Sequence, residues 1–348
     1  VSAALELEPS PPSPFRLPAH SSEDRTMSVR DGVLSRLLRV GESPVLVRAW
    51  EPGRGRVALR AEPVDPAALS APRSLPPRED RPAGAAELRV ALERMRFALG
   101  VDDDLTDFYR RFRRDPLLGP ALRRRPWLRP RRRPWAWEAL AWAVVKQLIE
   151  SERAAAIQRR IVGRWGPRLP AAPRSPATPP TPAAWSRFEP HSGTNLDHAR
   201  RAPHPWSRFE PHSGTNLDHG LGDVPDAATI AGRAPAELAA LDLSPARSLA
   251  LRAVAREIAA GRVSPREPAA DARLLAIPEI GPWTVQCLGL FGRGDPDSLP
   301  AGDLVYLKLV GRLARLGRRA TVAEVEEFYA PYAPYRGLAG LWTIGPYR

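Results

Sequence analysis

Hydrophobic and polar positions change period along the chain. Between Val33 and about Pro63 they alternate: Val45, Val47 and Ala49 share one side, Pro52-Gly53-Arg54-Gly55 makes a turn, and Val57 and Leu59 resume the pattern. A period of two broken by a Gly-rich turn predicts a small antiparallel sheet with its hairpin. From Leu88 the period lengthens. Leu88, Leu92, Met95 and Leu99 fall on one helical face, and Gly100 ends that helix, because glycine tolerates the left-handed backbone of a C-terminus. A short helix is expected from Leu105 to Arg113, with the consecutive Asp102, Asp103 and Asp104 as capping residues rather than a ligand set. Residues 135–165 predict one long or two abutting helices, with Leu140, Val144, Leu148, Ile157, Ile161 and Trp165 as candidate core. Pro235 to Leu241 forms another helix. Ser244 as N-cap and Pro245 at the first helical position start the next, which runs to Gly261.

The periodicity fails in three places. Residues 1–27 are rich in Pro and Ser and read as a disordered tail, with Met27 a candidate start. Residues 65–82 read as a Pro-rich linker. Residues 171–219 read as a disordered insert, in which Trp185–His198 recurs unchanged at Trp206–His219. Five of the six histidines lie there (His191, His198, His204, His212 and His219), with no fixed scaffold to build a metal site. The organisation expected is thus a tail (1–27), a sheet domain with its linker (28–82), a helical domain (83–170 and 220–348) and an insert (171–219).

Composition narrows the function classes. At 348 residues and 43% hydrophobic content the chain can bury two compact units. No apolar run approaches the roughly 20 residues of a membrane helix. The single cysteine, Cys287, excludes an internal disulfide, a four-cysteine iron–sulfur cluster and a four-cysteine zinc site; a cytoplasmic setting is the default. Net charge is +13, which favours a polyanionic partner, of which nucleic acid is the commonest. Lysine occurs only at Lys146 and Lys308, so nearly all of that charge is arginine, as a GC-rich genome would also produce. The densest basic run, Arg123 to Arg133 with Pro126, Trp127 and Pro130 interleaved, fits either a nucleic-acid backbone contact or a solvated connector.

Leu274 to Leu313 carries the candidate chemistry. A short helix ends near Ala276, Pro278 to Pro282 is a tight turn, and a helix starts near Trp283. Helix N-termini present unpaired N–H groups and a positive dipole end, which seat phosphate without reading sequence. Pro300-Ala301-Gly302 then leads to Asp303, which opens an amphipathic helix with Tyr306, Leu309, Val310 and Leu313 on its buried face. By position alone Asp303 is a favoured N-cap, and most such aspartates only cap.

The combination Ile277-Pro278-Glu279-Ile280-Gly281-Pro282-Trp283-Thr284 and Leu299-Pro300-Ala301-Gly302-Asp303-Leu304 resembles the helix-hairpin-helix (HhH-GPD) DNA glycosylase superfamily, and within it the DNA-3-methyladenine glycosylase II branch. The likeness extends over most of residues 28–170 and 220–348, including Trp137–Arg160, Asp242-Leu243-Ser244 and Tyr329–Ala339. It implies an α+β fold: a mostly helical glycosylase domain behind a small N-terminal antiparallel sheet of TATA-binding-protein-like shape. It implies Asp303 as the catalytic carboxylate and Trp283 and Tyr335 as aromatics of the base pocket. Leu148 would be the wedge that fills the gap left by an extruded base. Pro278, Glu279, Ile280, Gly281, Pro282 and Thr284 would form the hairpin that grips the DNA backbone. The expected partner is double-stranded DNA with damaged bases, met by a monomer. No cofactor is expected, although the family hairpin can hold a monovalent cation through backbone carbonyls.

Two features depart from the pattern. Trp283 stands where the strand-cleaving members of the superfamily carry a Schiff-base lysine, so a hydrolase of alkylated purines without lyase activity is expected. Glu279 replaces the first glycine of the usual Pro-Gly-Ile-Gly hairpin, which puts a side chain where positive φ is needed and a negative charge beside phosphate. Two alternatives follow: a catalytically impaired DNA-binding protein that keeps the fold, and a glycosylase for deaminated or other neutral lesions.

Overall fold

The computed structural model describes residues 4–70, 81–170 and 220–344. The insert with its duplicated segment and five histidines, and residues 71–80 of the linker, lie outside the described residues. An antiparallel sheet opens the fold: β1 (Leu5–Leu7), β2 (Met27–Arg30), β3 (Val33–Val40), β4 (Ser43–Trp50) and β5 (Ala58–Pro63), in the order β1-β5-β4-β3-β2. Pairing of Leu34 with Ala49 and Leu38 with Val45 sets the register. It turns Leu34, Leu38, Val45, Val47 and Ala49 toward Leu88, Leu92 and Met95 of α1 (Ala85–Leu99). One slip of register would expose that whole set.

Residues 4–27 are not a disordered tail. β1 pairs with β5, Phe15 is buried in the sheet core, and Asp24 is buried beneath the helical domain. The period-two pattern missed them because the segment is mostly irregular; single side chains anchor it. Asp24 accepts from Trp142 Nε1 at 2.9 Å and pairs with Arg133 at 2.7 Å. Arg133 also reaches Glu138 (3.0 Å), which pairs with Arg36 (2.8 Å), which reaches Asp223 (3.4 Å). This buried chain joins the sheet to the helices. Burial alone would raise the Asp24 carboxyl, but Arg133 and Arg36 outweigh it and hold it far below the usual range. Burial dominates at Asp223, which is pushed up to about 6 despite Arg36.

The helical part has two cores. The first gathers α4 (Ala136–Lys146), α5 (Ser151–Trp165), α6 (Ala227–Ala231), α7 (Pro235–Ala239), α8 (Pro245–Ala259), α9 (Asp271–Leu275) and α10 (Pro282–Leu288). The second gathers α2 (Thr106–Phe112), α3 (Gly119–Arg124), α11 (Leu304–Leu313), α12 (Val322–Tyr329) and α13 (Arg336–Ile344) around an aromatic cluster. Residues 135–165 are therefore two helices. Leu148, in the break between them, is fully exposed rather than part of the core. Of the three aspartates expected to cap α2 only Asp104 touches its start, accepting from Thr106 N–H at 2.9 Å; Asp102 pairs with Arg96 at 2.6 Å and Asp103 with Arg132 at 2.7 Å. The basic run divides: Arg129, Arg132 and Arg133 turn inward to Gly100, Asp103 and Asp24, whereas Arg123, Arg124 and Arg131 are exposed. Among the described residues no helix is long and apolar enough to cross a membrane.

Candidate active site

The site lies on the seam between the two helical cores. On one side α9, a turn and α10 form a hairpin. The turn is closed by Ile277 N–H to the Leu274 carbonyl (3.0 Å) and Ile280 N–H to the Ile277 carbonyl (3.1 Å). Ile280 is buried and anchors the hairpin in the first core, while Pro278, Glu279 and Pro282 face outward. Glu279 adopts φ 69°, a left-handed conformation that disfavours a side chain. Its charge is felt by Arg247 on the first turn of α8, whose guanidinium burial otherwise lowers. Gly281 is the N-cap of α10 and Pro282 its first residue.

On the other side a loop runs from α10 to α11 and is drawn close to the end of α10 and to α13. A Cβ on Gly289 would lie 2.3 Å from Ser298 Oγ, and one on Gly337 would lie 2.4 Å from the Ser298 carbonyl. Only glycine permits these approaches. Ser298 Oγ donates to the Gln286 carbonyl at 3.1 Å. The loop ends at Asp303, whose Oδ1 accepts from Val305 N–H at 3.0 Å, so Asp303 does cap α11. Capping occupies one oxygen; among the described residues Oδ2 accepts no hydrogen bond. The carboxylate is half-buried at the positive end of the α11 dipole, a favourable setting for an anion.

Trp283 meets this loop. A Cβ on Gly302 would lie 3.7 Å from Trp283 Cβ and 3.8 Å from its Cδ1, so the indole packs beside the residue that precedes Asp303. Its Nε1 is buried with no hydrogen-bond partner among the described residues. One turn along α10, Cys287 is buried; burial raises its thiol, the Asp303 carboxylate adds to the rise, and Lys146 opposes it. Lys146 and Asp303 therefore both lie within electrostatic reach of the Cys287 thiol.

Tyr335 is tied to the same loop through its neighbour: Arg336 pairs with Asp297 at 2.5 Å, and its N–H bonds the same carboxylate at 3.0 Å. The ring itself stands against Phe108 (5.5 Å between centroids) and Phe112 (6.5 Å) rather than Trp283, and its hydroxyl donates to Asp107 at 2.8 Å. Trp283 and Asp303 are thus brought together, while Tyr335 stands at the edge of the aromatic cluster.

Leu148 has φ 53° and is fully exposed. A large apolar side chain held outward on a left-handed backbone is doubly unfavourable in isolation, as functional sites often are. Gln147 before it donates through Nε2 to the Glu279 carbonyl (2.8 Å) and to Thr284 Oγ1 (2.9 Å), so the exposed leucine and the hairpin are one unit. Sequence reasoning did not single out Gln147. The signal was a lone polar amide closing the apolar run Ala139–Val145.

No family model matches the chain. A stretch of 35 residues is 51% identical to the probable bifunctional transcriptional activator/DNA repair enzyme AlkA of Mycobacterium tuberculosis. That stretch is 10% of this chain and spans 7% of the length of the curated relative. Among solved structures, a 3-methyladenine DNA glycosylase from Archaeoglobus fulgidus superposes with a TM-score of 0.69 at 16% identity, covering 98% of this chain and 97% of that one. An 8-oxoguanine glycosylase/lyase from Clostridium acetobutylicum superposes with a TM-score of 0.53 at 10% identity, covering 92% and 98%. The chain has the α+β fold of the helix-hairpin-helix DNA glycosylases.

Proposed function

We propose that this protein is a DNA glycosylase that hydrolyses the N-glycosidic bond of alkylated purines in duplex DNA, acting as a monomer and without strand cleavage. The observation that carries the reading is the meeting of Trp283 with the Asp303 loop across Gly302, beside a hairpin from which Leu148 projects. A base inside a duplex must leave the stack before its sugar bond can be attacked. The hairpin backbone from Pro278 to Thr284 would seat the strand by its phosphates, and Leu148 would fill the vacated space.

A purine alkylated at a ring nitrogen is cationic and leaves readily. The Trp283 indole suits such a base by stacking and cation–π attraction. As the bond breaks, the electron pair departs with the base and positive charge grows on the deoxyribose. The Oδ2 of Asp303, uncommitted to the cap, would stabilise that charge and orient the attacking water, whose oxygen bonds C1′ while its proton passes to the carboxylate and on to solvent. The carbonyls of Ile277 and Glu279, which accept from Ile280 N–H and Gln147 Nε2, would be the hairpin groups able to hold a monovalent cation.

A second reading, a DNA-binding protein of this fold with impaired catalysis, rests on the strained, charged Glu279. One panel separates them: wild-type protein on duplexes carrying 3-methyladenine, 7-methylguanine, ethenoadenine or hypoxanthine, with borohydride added to parallel samples. Release of the methylated purines without covalent trapping is the expected result. No release from any duplex would leave the binding-protein reading, release of hypoxanthine alone would move the substrate to neutral lesions, and a trapped adduct would overturn the absence of lyase chemistry.

A further inference from the structure

α4 stops at Lys146, and Gln147 leaves the helix with ψ 126°. Its amide makes two hydrogen bonds to the hairpin, one on each side of Gly281: the Glu279 carbonyl in the turn and the buried Thr284 hydroxyl on the first turn of α10. Two donations from one planar amide fix its plane as well as its position. The backbone then passes directly into the left-handed Leu148. The bridge thus holds both strained residues: it pins the carbonyl of Glu279 at φ 69° and sets the exit direction of Leu148 at φ 53°. An apolar wedge needs such support, because a fully exposed leucine on a short loop has no packing of its own to direct it.

Resting on the glycosylase reading, we infer that Gln147 is a positioning residue that couples the hairpin to the wedge, so that seating the hairpin on a phosphodiester sets the direction in which Leu148 enters the stack. The hairpin can still bind a strand without this bridge. What is lost is the registration of Leu148 against the strand so bound. Binding and base eversion should therefore come apart when the amide is removed.

The test uses the full chain with Gln147→Met, which keeps length and volume but donates nothing, Thr284→Val, which removes one acceptor in place, and the double variant. Four quantities are read: melting temperature, affinity for an undamaged duplex, fluorescence of a 2-aminopurine beside a methylated purine, and single-turnover base release. Gln147→Met is expected to keep duplex affinity within about threefold while eversion signal and release rate fall about ten- to hundredfold. Thr284→Val should lose less, and the double variant no more than Gln147→Met alone, because both act through one bridge. Eversion and release at the wild-type level in Gln147→Met, loss of duplex affinity in parallel with release, or losses that multiply in the double variant would each overturn the inference. If the wild type itself frees no base, the glycosylase reading fails separately. The 2-aminopurine signal then still decides: a rise that Gln147→Met abolishes supports the coupling, and any other pattern counts against it.

Discussion

Glu279 offers the most quantitative handle on the hairpin. Its left-handed backbone costs about 1 kcal/mol relative to a residue without Cβ, and a glycine there would lose a similar amount through unfolded-state entropy. Glu279→Gly should therefore shift the melting temperature little. Its effect belongs to binding. A carboxylate about 7 Å from a phosphate in water is opposed by about 0.6 kcal/mol, less after salt screening. Two flanking phosphates then correspond to about two- to fivefold in dissociation constant. Removing the carboxylate also takes away the weaker of the two acidic influences on Arg247, that of Asp242 remaining. Glu279→Gln keeps the strained backbone and removes only the charge, so it isolates the electrostatic part; Glu279→Gly adds closer backbone approach and should reach about tenfold. Fluorescence anisotropy on a labelled duplex with an abasic-site analogue, measured from 50 to 300 mM KCl, would read both, and the salt slope should steepen by up to about one in both variants. Unchanged affinity and slope in both would refute the placement of this turn at the DNA backbone.

Three further outcomes follow from the same structure. Leu148→Ala should slow base release by about ten- to hundredfold with an unchanged melting temperature, because the side chain is fully exposed and contributes nothing to the core; a drop in melting temperature would mean that it packs. Asp24→Ala should destabilise the protein by about 2–4 kcal/mol in chemical denaturation, since it leaves Arg133 with Glu138 alone and the Trp142 N–H unpaired in the interior; a loss below about 1 kcal/mol would mean that the segment before β2 is dispensable. Asp223 has a raised carboxyl, so the stability it confers is greatest below its unfolded value near 4 and is lost as pH rises through about 6. The stability of wild type minus Asp223→Asn should accordingly fall by up to about 3 kcal/mol between pH 4 and pH 7; a flat difference would contradict the raised value.

What the sequence revealed follows from which forces are local. The β3–β5 hairpins, α1 and the Asp303 cap were legible because period and capping chemistry act over a few residues. The hairpin and its aspartate were legible because Pro, Gly and Asp occur there in a fixed local order. Residues 4–27 were misread because Phe15 is secured by the sheet core and Asp24 by Arg133 and Trp142 more than 100 positions away, which no local pattern reports. Leu148 fitted the helical stripe of residues 140–165 and so passed for core. Only the break after Lys146, which Gln147 stabilises through the distant Glu279 and Thr284, turns it outward. The arginine run was ambiguous for the same reason, since Asp103 and Asp24 decide which guanidinium groups face inward.

The role given to Asp303 can be tested without disturbing the fold, because asparagine caps a helix as well as aspartate does. Single-turnover release of 3-methyladenine by Asp303→Asn should fall about 100- to 1000-fold while affinity for an abasic duplex stays within about threefold. Release at a rate close to that of the wild type would show that the carboxylate does nothing beyond capping α11.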